Sequence, residues 1–335
     1  MRLPALLPCE TIFVGGGTPT QVSPDDLRRL LGIVTSRVDR SALAEFTVEA
    51  NPGTLTSEKV AILREFGVTR VSLGAQSFDP ERLAFLERIH GPDEIESGIA
   101  CVRDGGIENV NLDLIYAIPG ETLDSWMSDV RRALALAPSH LSAYALTFEE
   151  GTPLGARREK GLVEPPDEET EREFFETTHR ELARAGFPAY EISNFAPPGR
   201  ECRHNLNYWR AGEYFGLGPG AHSHLLGERS SNRRSLGHYI AELRAGRLPR
   251  DFAERLPRRA AFGEAVMLGL RTVAGVSRGE LLERFGFDLA TVHAETIARH
   301  ASAALVDWDG ESLRVRPEAL VLADSIAADF LEPAP

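Results

Sequence analysis

The chain has 335 residues, of which 42% are hydrophobic, and its formal net charge at pH 7 is −13. This length allows one large domain and a smaller one, and the negative charge argues against nucleic acid as a partner. No apolar run reaches the roughly eighteen residues of a membrane span, and three scattered cysteines cannot build a disulfide framework. We therefore expect a cytoplasmic protein without a membrane span.

Short apolar strands alternate with amphipathic helices from residue 11 to about residue 193. The strand candidates are residues 11–14, 45–50, 70–73, 110–116, 140–146 and 189–193. Ser23 and Asp79, each followed by proline, mark helix starts, and Gly67 and Gly186 mark helix ends. Strands that alternate with helices indicate a parallel sheet with helical crossovers. The predicted fold is therefore α/β, with a closed or partial barrel.

Polar residues stand out where five of these strands end. They are the loop of residues 15–18, Glu49, Gln76, Asp113 and Tyr144. In parallel α/β barrels the loops that follow the strands gather at this rim, and ligands bind there. The consecutive glycines of the first loop also let a ligand approach the main chain closely. The sequence therefore predicts a ligand site at the carboxyl edge of the sheet.

These motifs follow one another in an order that is typical of a known family. They are Gly15-Gly16-Gly17-Thr18-Pro19, Glu49-Ala50-Asn51-Pro52-Gly53, Leu73-Gly74-Ala75-Gln76-Ser77-Phe78, Arg88-Ile89-His90, Asn111-Leu112-Asp113-Leu114-Ile115-Tyr116 and Tyr190-Glu191-Ile192-Ser193-Asn194-Phe195. Over nearly its whole length the chain resembles the radical S-adenosylmethionine (SAM) family of oxygen-independent coproporphyrinogen III oxidases and their HemW-type heme-chaperone relatives. The resemblance implies a radical-SAM-type partial (β/α) barrel.

The resemblance also implies a SAM site at the rim. Its residues would be Gly16, Gly17 and Thr18 at the amino-acid end of SAM, and Glu49, Gln76, Arg88 and Asp113 around the rest of the molecule. Carboxylates suit the ribose hydroxyls and the sulfonium charge, whereas Arg88 suits the methionine carboxylate. Without the family context, Asp113 and Arg88 could instead form an ion pair across the rim.

A second motif, His-Asn-Leu-Asn-Tyr-Trp at residues 204–209, resembles the HNxxYW signature of the heme-chaperone branch. The resemblance implies that heme binds here. A loop histidine can ligate heme iron, so His204 is the candidate ligand, and Tyr208 and Trp209 can cover a porphyrin face. Further candidate ligands are Cys202, His222 and His224. In the opposing interpretation the histidine caps a loop and the aromatic rings fill a core.

The chain departs from the family pattern in its cysteines. Family members carry C-x3-C-x2-C in the loop after their first strand, and these thiolates bind a [4Fe-4S] cluster that leaves one iron open to SAM. The three cysteines here, Cys9, Cys101 and Cys202, do not form that motif, so the cluster ligands are absent. We expect that the first βα unit of the barrel is missing, through a start codon assigned too far downstream or through a truncation. As written, the chain is not expected to be catalytic.

The alternation of strands and helices ends near residue 195, and a loop-rich segment follows. Later candidates are helices at residues 264–270, 278–285, 291–304 and 317–330, and a strand pair at residues 304–308 and 312–315 turned by Asp309-Gly310. Helices with a small hairpin indicate a winged-helix-like module. The predicted organisation is a truncated barrel (1–195), a loop-rich segment with the HNxxYW motif (196–255) and a small C-terminal helical domain (256–335).

Arginines concentrate between residues 200 and 259, whereas lysine occurs only at Lys59 and Lys160. Two interpretations stay open. The arginines reflect genomic bias, or they form a patch for an anionic ligand or partner.

The favoured function is that of a HemW-like heme chaperone, which binds heme and hands it to an acceptor protein. The alternatives are an oxygen-independent coproporphyrinogen III oxidase of porphyrin biosynthesis, against which the motif at residues 204–209 argues, and a degenerate barrel that only binds SAM or a protein. The expected cofactors are heme and SAM, with a [4Fe-4S] cluster expected for the family. The identity of the acceptor protein stays open. Formation of a homodimer and peripheral contact with membrane heme proteins also stay open.

Overall fold

The structure, a computed structural model, describes residues 6–331. These residues fall into two units that meet in sequence between His204 and Asn205. The sequence predicted three segments, with boundaries after residues 195 and 255. In the structure, residues 196–204, with the buried Cys202 among them, belong to the first unit.

The first unit alternates strands and helices. Its elements are β1 (Leu7–Pro8), β2 (Thr11–Val14), α1 (Pro24–Thr35), β3 (Val38–Asp39), β4 (Glu45–Ala50), α2 (Ser57–Glu65), β5 (Arg70–Gln76), α3 (Pro80–Phe85), α4 (Pro92–Asp104), β6 (Asn109–Tyr116), α5 (Leu123–Ala135), β7 (His140–Ala145), α6 (Pro153–Glu159), α7 (Glu168–Arg184) and β8 (Asn194–Phe195). Short 3-10 turns, Pro19–Gln21 and Pro52–Thr54, follow β2 and β4. Helix α8 (Arg203–Trp209) starts in this unit and ends in the next.

The central sheet has the strand order β2-β4-β5-β6-β7-β8. Neighbouring strands from β2 to β7 pair in parallel, and β8 runs antiparallel to β7. The α/β class and the first five predicted strands are therefore confirmed. The predicted strand at residues 189–193 is wrong, because the Tyr190 N–H donates to the Asn194 carbonyl and closes a turn there.

The helix boundaries follow the signals in the sequence. The Ser23 side chain accepts a hydrogen bond from the Asp26 N–H, and the Asp79 side chain accepts from the N–H groups of Glu81 and Arg82, so both predicted caps are confirmed. Gly67 and Gly186 follow the ends of α2 and α7 with φ of 83° and 87°. Only glycine adopts this left-handed conformation without strain, which is why the helices end there.

Because successive side chains of a strand point to opposite sides, the central sheet has two unlike faces. One face is apolar and packs against α1, α2, α4, α5 and α7, in a core that includes Leu31, Val48, Leu73, Leu112 and Trp126. The other face is polar. Its buried residues include Glu45, Thr47, Arg70, Ser72, Asn111, His140 and Ser142. Buried polar groups are retained only where partners satisfy them, so this face is where specific chemistry is expected.

The second unit contains two small antiparallel sheets and several helices. Its elements are β9 (His222–Leu225), β10 (Glu228–Asn232), α9 (Leu236–Arg244), β11 (Arg250–Arg255), α10 (Arg258–Gly269), β12 (Val276–Ser277), α11 (Arg278–Phe285), α12 (Leu289–Val292), α13 (Ala294–Ser302), β13 (Val306–Trp308), β14 (Ser312–Val315) and α14 (Ala323–Ala328). The sheets have the orders β11-β10-β9 and β12-β14-β13. The predicted hairpin is confirmed as β13 and β14.

Two predicted helices of the second unit need correction. Residues 291–304 are divided at His293, whose φ of −118° interrupts the helix between α12 and α13. The predicted last helix starts as a 3-10 turn, Pro317–Leu322, in which the Ala319 N–H bonds the Arg316 carbonyl three residues earlier, and only then continues as α14.

The arginine-rich segment is largely balanced by acids. Ion pairs join Arg229 to Glu254 and Glu264, Arg233 to Asp251, Arg247 to Glu242, and Arg250 and Arg255 to Glu228. The segment therefore does not present a uniformly cationic patch. Helix α9 in the same segment buries none of its residues, and Leu236 and Leu243 on it are 61% and 48% exposed.

Candidate functional site

The glycine loop after β2 is held against a carboxylate of β4. The Gly16 N–H donates to Glu49 Oε2 at 3.0 Å. A Cβ on Gly15 would lie 2.5 Å from the Glu49 carboxyl group and 2.7 Å from the Phe13 ring, and Gly16 has φ of 81°. The loop thus requires glycine at Gly15 for close approach and at Gly16 for its conformation. Gly17 lies beside them in the exposed part of the loop.

Burial raises the pKa of Glu49, and the nearby charge of Asp113 raises it further, against hydrogen bonds from the Gly16 and Gly17 N–H groups. Asp113 lies two strands away, on β6. Its carboxylate accepts from Ser72 Oγ at 3.0 Å and from Asn111 Nδ2 at 2.8 Å. Burial raises the pKa of Asp113 as well. The carboxyl edge of the sheet therefore carries two partly buried acids, for which a cationic ligand would be a favourable counter-charge.

Lys59 ties the loops that follow β2 and β4 to each other. Its Nζ donates to the carbonyl oxygens of Thr20 at 2.7 Å and Thr54 at 3.1 Å. The hydroxyls of Thr20 and Thr54 also lie 2.6 Å apart. Thr18, which the sequence assigned to the site, immediately precedes the first of these turns. The rim is thus built on loops that are fixed by specific hydrogen bonds.

Gln76 ends β5 in an unusual conformation. Its φ is 65°, which is rare for a residue with a side chain, and the pairing of β5 with β6 is irregular between Gly74 and Gln76. The Gln76 amide Nε2 lies 2.9 Å from the position that a Gly74 Cβ would occupy. Strain of this kind is often found at functional sites. Gln76 is therefore placed at the rim, close to the strand ends that carry Glu49 and Asp113.

Arg88 is not brought to the two acids. It is exposed on the loop between α3 and α4, and no ion pair within residues 6–331 joins it to Asp113. The neighbouring His90 is buried instead, and its Nε2 donates to the Ala75 carbonyl at 3.2 Å. The ion pair considered from the sequence is thus not formed.

A buried acid at the same edge was missed by sequence reasoning. The Glu121 side chain is fully buried, and its Oε1 lies 3.4 Å from Arg82 Nε. Arg82 Nη2 also lies 3.6 Å from Asp129 Oδ2, so that one guanidinium forms ion pairs with two buried acids. Burial raises the pKa of Glu121 to about 7. The cluster joins three separate segments, and only the turn Pro119-Gly120 before Glu121 could have indicated it from the sequence.

The motif residue His204 lies at the opposite end of the polar face. Its Nδ1 is 2.8 Å from Thr11 Oγ1, and its ring stacks on Phe13 with the centroids 5.2 Å apart. Burial lowers the pKa of His204, against the charge of Glu45. Glu45 and Glu49 start and nearly end the same strand, which separates the two regions by about 13 Å at roughly 3.3 Å per residue.

Hydrogen bonds connect these two ends of the polar face. The Cys202 N–H donates to Tyr190 Oη at 3.3 Å, and Tyr190 Oη lies 2.8 Å from His140 Nε2. His140 Nδ1 lies 2.6 Å from Asn111 Oδ1, and Asn111 in turn donates to Asp113. Since an amide oxygen only accepts, His140 must carry its proton on Nδ1, and burial lowers its pKa well below the usual value.

The other aromatic and histidine candidates belong to the second unit. Tyr208 is 39% exposed and packs edge-on against Tyr214, with centroids 4.7 Å apart. The Arg271 guanidinium lies 4.9 Å above the Trp209 ring. His222 is exposed on β9, and His224 Nδ1 donates to the Gly212 carbonyl at 3.2 Å.

The cysteines do not fit a [4Fe-4S] cluster. Cys202 is 1% exposed and its thiol donates to Glu45 Oε1 at 3.3 Å on the polar side of the sheet. Cys101 lies in α4 against the apolar core, and Cys9 lies between β1 and β2. Among the described residues, no three His, Cys, Asp or Glu side chains are grouped so that they could hold a metal ion.

Comparisons with known proteins agree with this architecture. Residues 3–133 match the model of the radical SAM superfamily, and residues 246–322 match the HemN C-terminal domain. In fold, the chain is similar to the solved structure of coproporphyrinogen III oxidase (HemN) from Escherichia coli, with a TM-score of 0.83 and 21% identity, over 96% of this chain and 78% of that one. Among residues 6–331 no helix is both long and apolar enough to cross a membrane.

Sequence relatives narrow the family further. The chain is 34% identical to the heme chaperone HemW of Bacillus subtilis over 323 residues, which cover 96% of this chain and 85% of the relative. It is 36% identical to the heme chaperone HemW of Mycobacterium tuberculosis, over 96% of this chain and 80% of the relative. A third heme chaperone HemW, from Escherichia coli, is 43% identical over 213 residues, or 64% of this chain and 55% of the relative.

The pKa of Glu121 predicts a pH-dependent stability. Because its folded-state pKa of about 7 exceeds the ordinary 4.5, the contribution of the bound proton is complete at low pH and is lost as the pH rises through about 7. The free energy of unfolding, measured in urea, should fall between about pH 5 and about pH 8 in the parent chain. In Glu121→Gln this fall should be smaller than in the parent chain by on the order of 2 kcal/mol. Glu96→Gln, at a half-exposed acid, is the control and should behave as the parent chain. Equal pH slopes in all three proteins would contradict the assignment.

The placement of the cysteines makes a second prediction. Anaerobic reconstitution of the 335-residue chain with iron and sulfide should give no stoichiometric cluster, because the thiols of Cys101 and Cys202 lie on different sides of the sheet. Iron analysis and the visible absorbance spectrum measure this. About four irons per chain, the content of one [4Fe-4S] cluster, would show that the prediction is wrong.

Proposed function

The chain belongs to the heme chaperone HemW family, and we propose that it binds heme and transfers it to an acceptor protein in the cytoplasm. We propose His204 as a ligand of the heme iron. The observation that carries this proposal is the geometry of the imidazole, whose Nδ1 lies 2.8 Å from Thr11 Oγ1 and whose ring stacks on Phe13. Burial also lowers the pKa of His204, which favours the neutral form. Neutral imidazole is the form that ligates iron.

The surroundings of His204 support the same role. Ligating histidines generally use their second ring nitrogen in a hydrogen bond that fixes the ring orientation, and Thr11 Oγ1 forms such a bond with Nδ1. The stacked Phe13 ring restrains the imidazole plane. Cys202 is less suited as a ligand, because its thiol is buried and bonded to Glu45. Tyr208 and Trp209 are proposed to contact the porphyrin.

We further propose that the rim binds SAM. Gly16, Gly17 and Thr18 would meet its amino-acid end, and Glu49, Gln76 and Asp113 would surround the remainder, with the exposed Arg88 available to a carboxylate. SAM supplies a sulfonium cation when it is bound, and the two acids of the rim offer the balancing charge. We therefore propose that the rim binds SAM through these residues. The motif at residues 204–209 favours the chaperone over the oxidase alternative.

Heme binding tests the principal proposal. In His204→Ala, the affinity for hemin should fall by about tenfold or more and the Soret band should shift, because an axial ligand is lost. A hemin titration followed by absorbance measures both quantities. His238→Ala, at an exposed histidine of the second unit, is the control and should bind as the parent chain.

Three outcomes of this titration are informative. An unchanged spectrum in His204→Ala would exclude His204 as the ligand and direct attention to Cys202, His222 or His224. The same loss in both variants would indicate surface binding of hemin. No hemin binding by folded parent chain would overturn the proposed function.

SAM binding is tested by Gly15→Ala. The added Cβ would lie within 2.5 Å of the Glu49 carboxyl group, which must move away from the Gly16 N–H. We expect the affinity for SAM, measured by calorimetry, to fall by about tenfold, the effect of losing one charge-assisted hydrogen bond. Gly32→Ala in α1 is the matched control, since its Cβ would meet only the Phe66 ring at 3.6 Å. Unaltered SAM affinity in Gly15→Ala would contradict the proposed rim.

A further inference from the structure

Glu45 is a buried carboxylate that no motif of the sequence singled out. It is 5% exposed and occupies the first position of β4, directly opposite Thr11 on β2. Its side chain lies on the polar face of the sheet. Thr47 is the next residue of β4 on that face, and its hydroxyl donates to Glu45 Oε1 at 3.4 Å. A buried carboxylate destabilises the fold unless several hydrogen-bond donors contact it. The donors around Glu45 therefore indicate which residues it holds in place.

Those donors come from the start of α8. The Arg203 N–H donates to Oε2 at 2.9 Å and the His204 N–H to Oε1 at 3.3 Å. The Cys202 thiol donates to Oε1 at 3.3 Å. The first N–H groups of a helix have no partner within the helix, and here a side chain more than 150 residues earlier in the sequence supplies their acceptor.

Two facing strand residues, Glu45 and Thr11, therefore hold the backbone and the side chain of His204. Glu45 fixes its backbone N–H, and the facing Thr11 fixes its imidazole through Nδ1 at 2.8 Å. Phe13, two residues further along β2, stacks on the ring. With the backbone and the ring both anchored to one sheet, the imidazole can take few orientations, and a preorganised ligand binds more tightly than a mobile one.

We propose that Glu45 is a positioning residue for heme ligation, which orients His204 through the backbone of α8 and holds the Cys202 thiol in a hydrogen bond. This inference rests on the proposed function, since it assumes that His204 ligates heme. Glu45 touches neither the iron nor the porphyrin in this proposal. Its effect on heme must therefore pass through His204.

A double-mutant cycle tests this dependence. We compare hemin affinity and the Soret band in the parent chain, Glu45→Gln, His204→Ala and the double variant. A glutamine side chain would present its amide donor to one of the two N–H groups, so Glu45→Gln should weaken hemin binding by about tenfold or more and shift the Soret band. In the His204→Ala background the same change should have no further effect on the affinity, because the ligand it orients is gone.

Controls separate positioning from general stability. Asp129→Asn also removes the charge of a buried carboxylate of the first unit, at the Ser77 and Arg82 cluster, and should leave hemin affinity unchanged. Cys202→Ser keeps a donor for Glu45 and should keep the parent spectrum. If Glu45→Gln does not fold, Glu45→Asp, which retains the charge but is too short to reach both N–H groups, replaces it in the cycle.

The outcomes distinguish the two proposals. Equal losses from Glu45→Gln in both backgrounds, with an effect of His204→Ala, would overturn the positioning role and leave the proposed function standing. A parent-like spectrum in His204→Ala would overturn the ligand assignment, and the positioning role with it. A changed spectrum in Cys202→Ser would show that the thiol is the ligand, which also overturns the positioning role.

Discussion

The first unit depends on one constraint. Alternate residues of each strand in its sheet must point to an apolar surface and to a polar surface. The apolar side is covered by helices and supplies the hydrophobic stabilisation. The polar side is also largely buried, so each of its groups needs a partner inside the protein. A shift of one residue in any strand would exchange the two sides, and the pairing of neighbouring strands is therefore strongly determined. The functional residues inherit their positions from this register.

The register also explains why the two candidate sites share one surface. Thr11, Glu45 and His140 start their strands. Thr11 and Glu45 contact His204, and His140 is linked to Cys202 through Tyr190. Glu49, Gln76 and Asp113 lie towards the ends of theirs, beside the glycine loop. The hydrogen-bonded series from Cys202 through Tyr190, His140 and Asn111 to Asp113 passes between them, and each donor in it points towards the rim. The tautomer of His140 is fixed by this series.

Much of the first unit could be predicted from the sequence, because local signals set it. The strand residues of β2 and β4, the caps at Ser23 and Asp79 and the glycines after α2 and α7 are read from neighbouring residues. Glu49 and Asp113 could be assigned to one rim, since parallel strands bring their carboxyl ends together. Barrel closure and a winged-helix module stay predictions. Local patterns failed where the turn at residues 189–195 is closed by the Tyr190 N–H and where His293 interrupts a helix.

The groups that sequence reasoning missed have contacts that are distant in the chain. Glu45 bonds residues 202–204, and Arg82 reaches Glu121 and Asp129, so no window of the sequence contains both members of either interaction. The ion pair of Arg88 with Asp113, considered without the family context, is the converse case, since Arg88 lies on an exposed loop and does not form it. Chemistry that relies on buried long-range pairs requires the folded structure.

Helix α9 has a consequence for the dynamics of the second unit. Its residues from Leu236 to Arg244 bury no side chain, so little hydrophobic free energy opposes its opening. The next helix, α10, buries Phe262 and Val266. Segments with few buried apolar contacts open locally at a small fraction of the global unfolding cost. The amides of α9 should therefore exchange with deuterium long before those of α10, and a protease should cut the native chain there first. The second unit thus has a hierarchy of stabilities, in which α9 and its flanking turns can rearrange while the helical core of α10 stays folded.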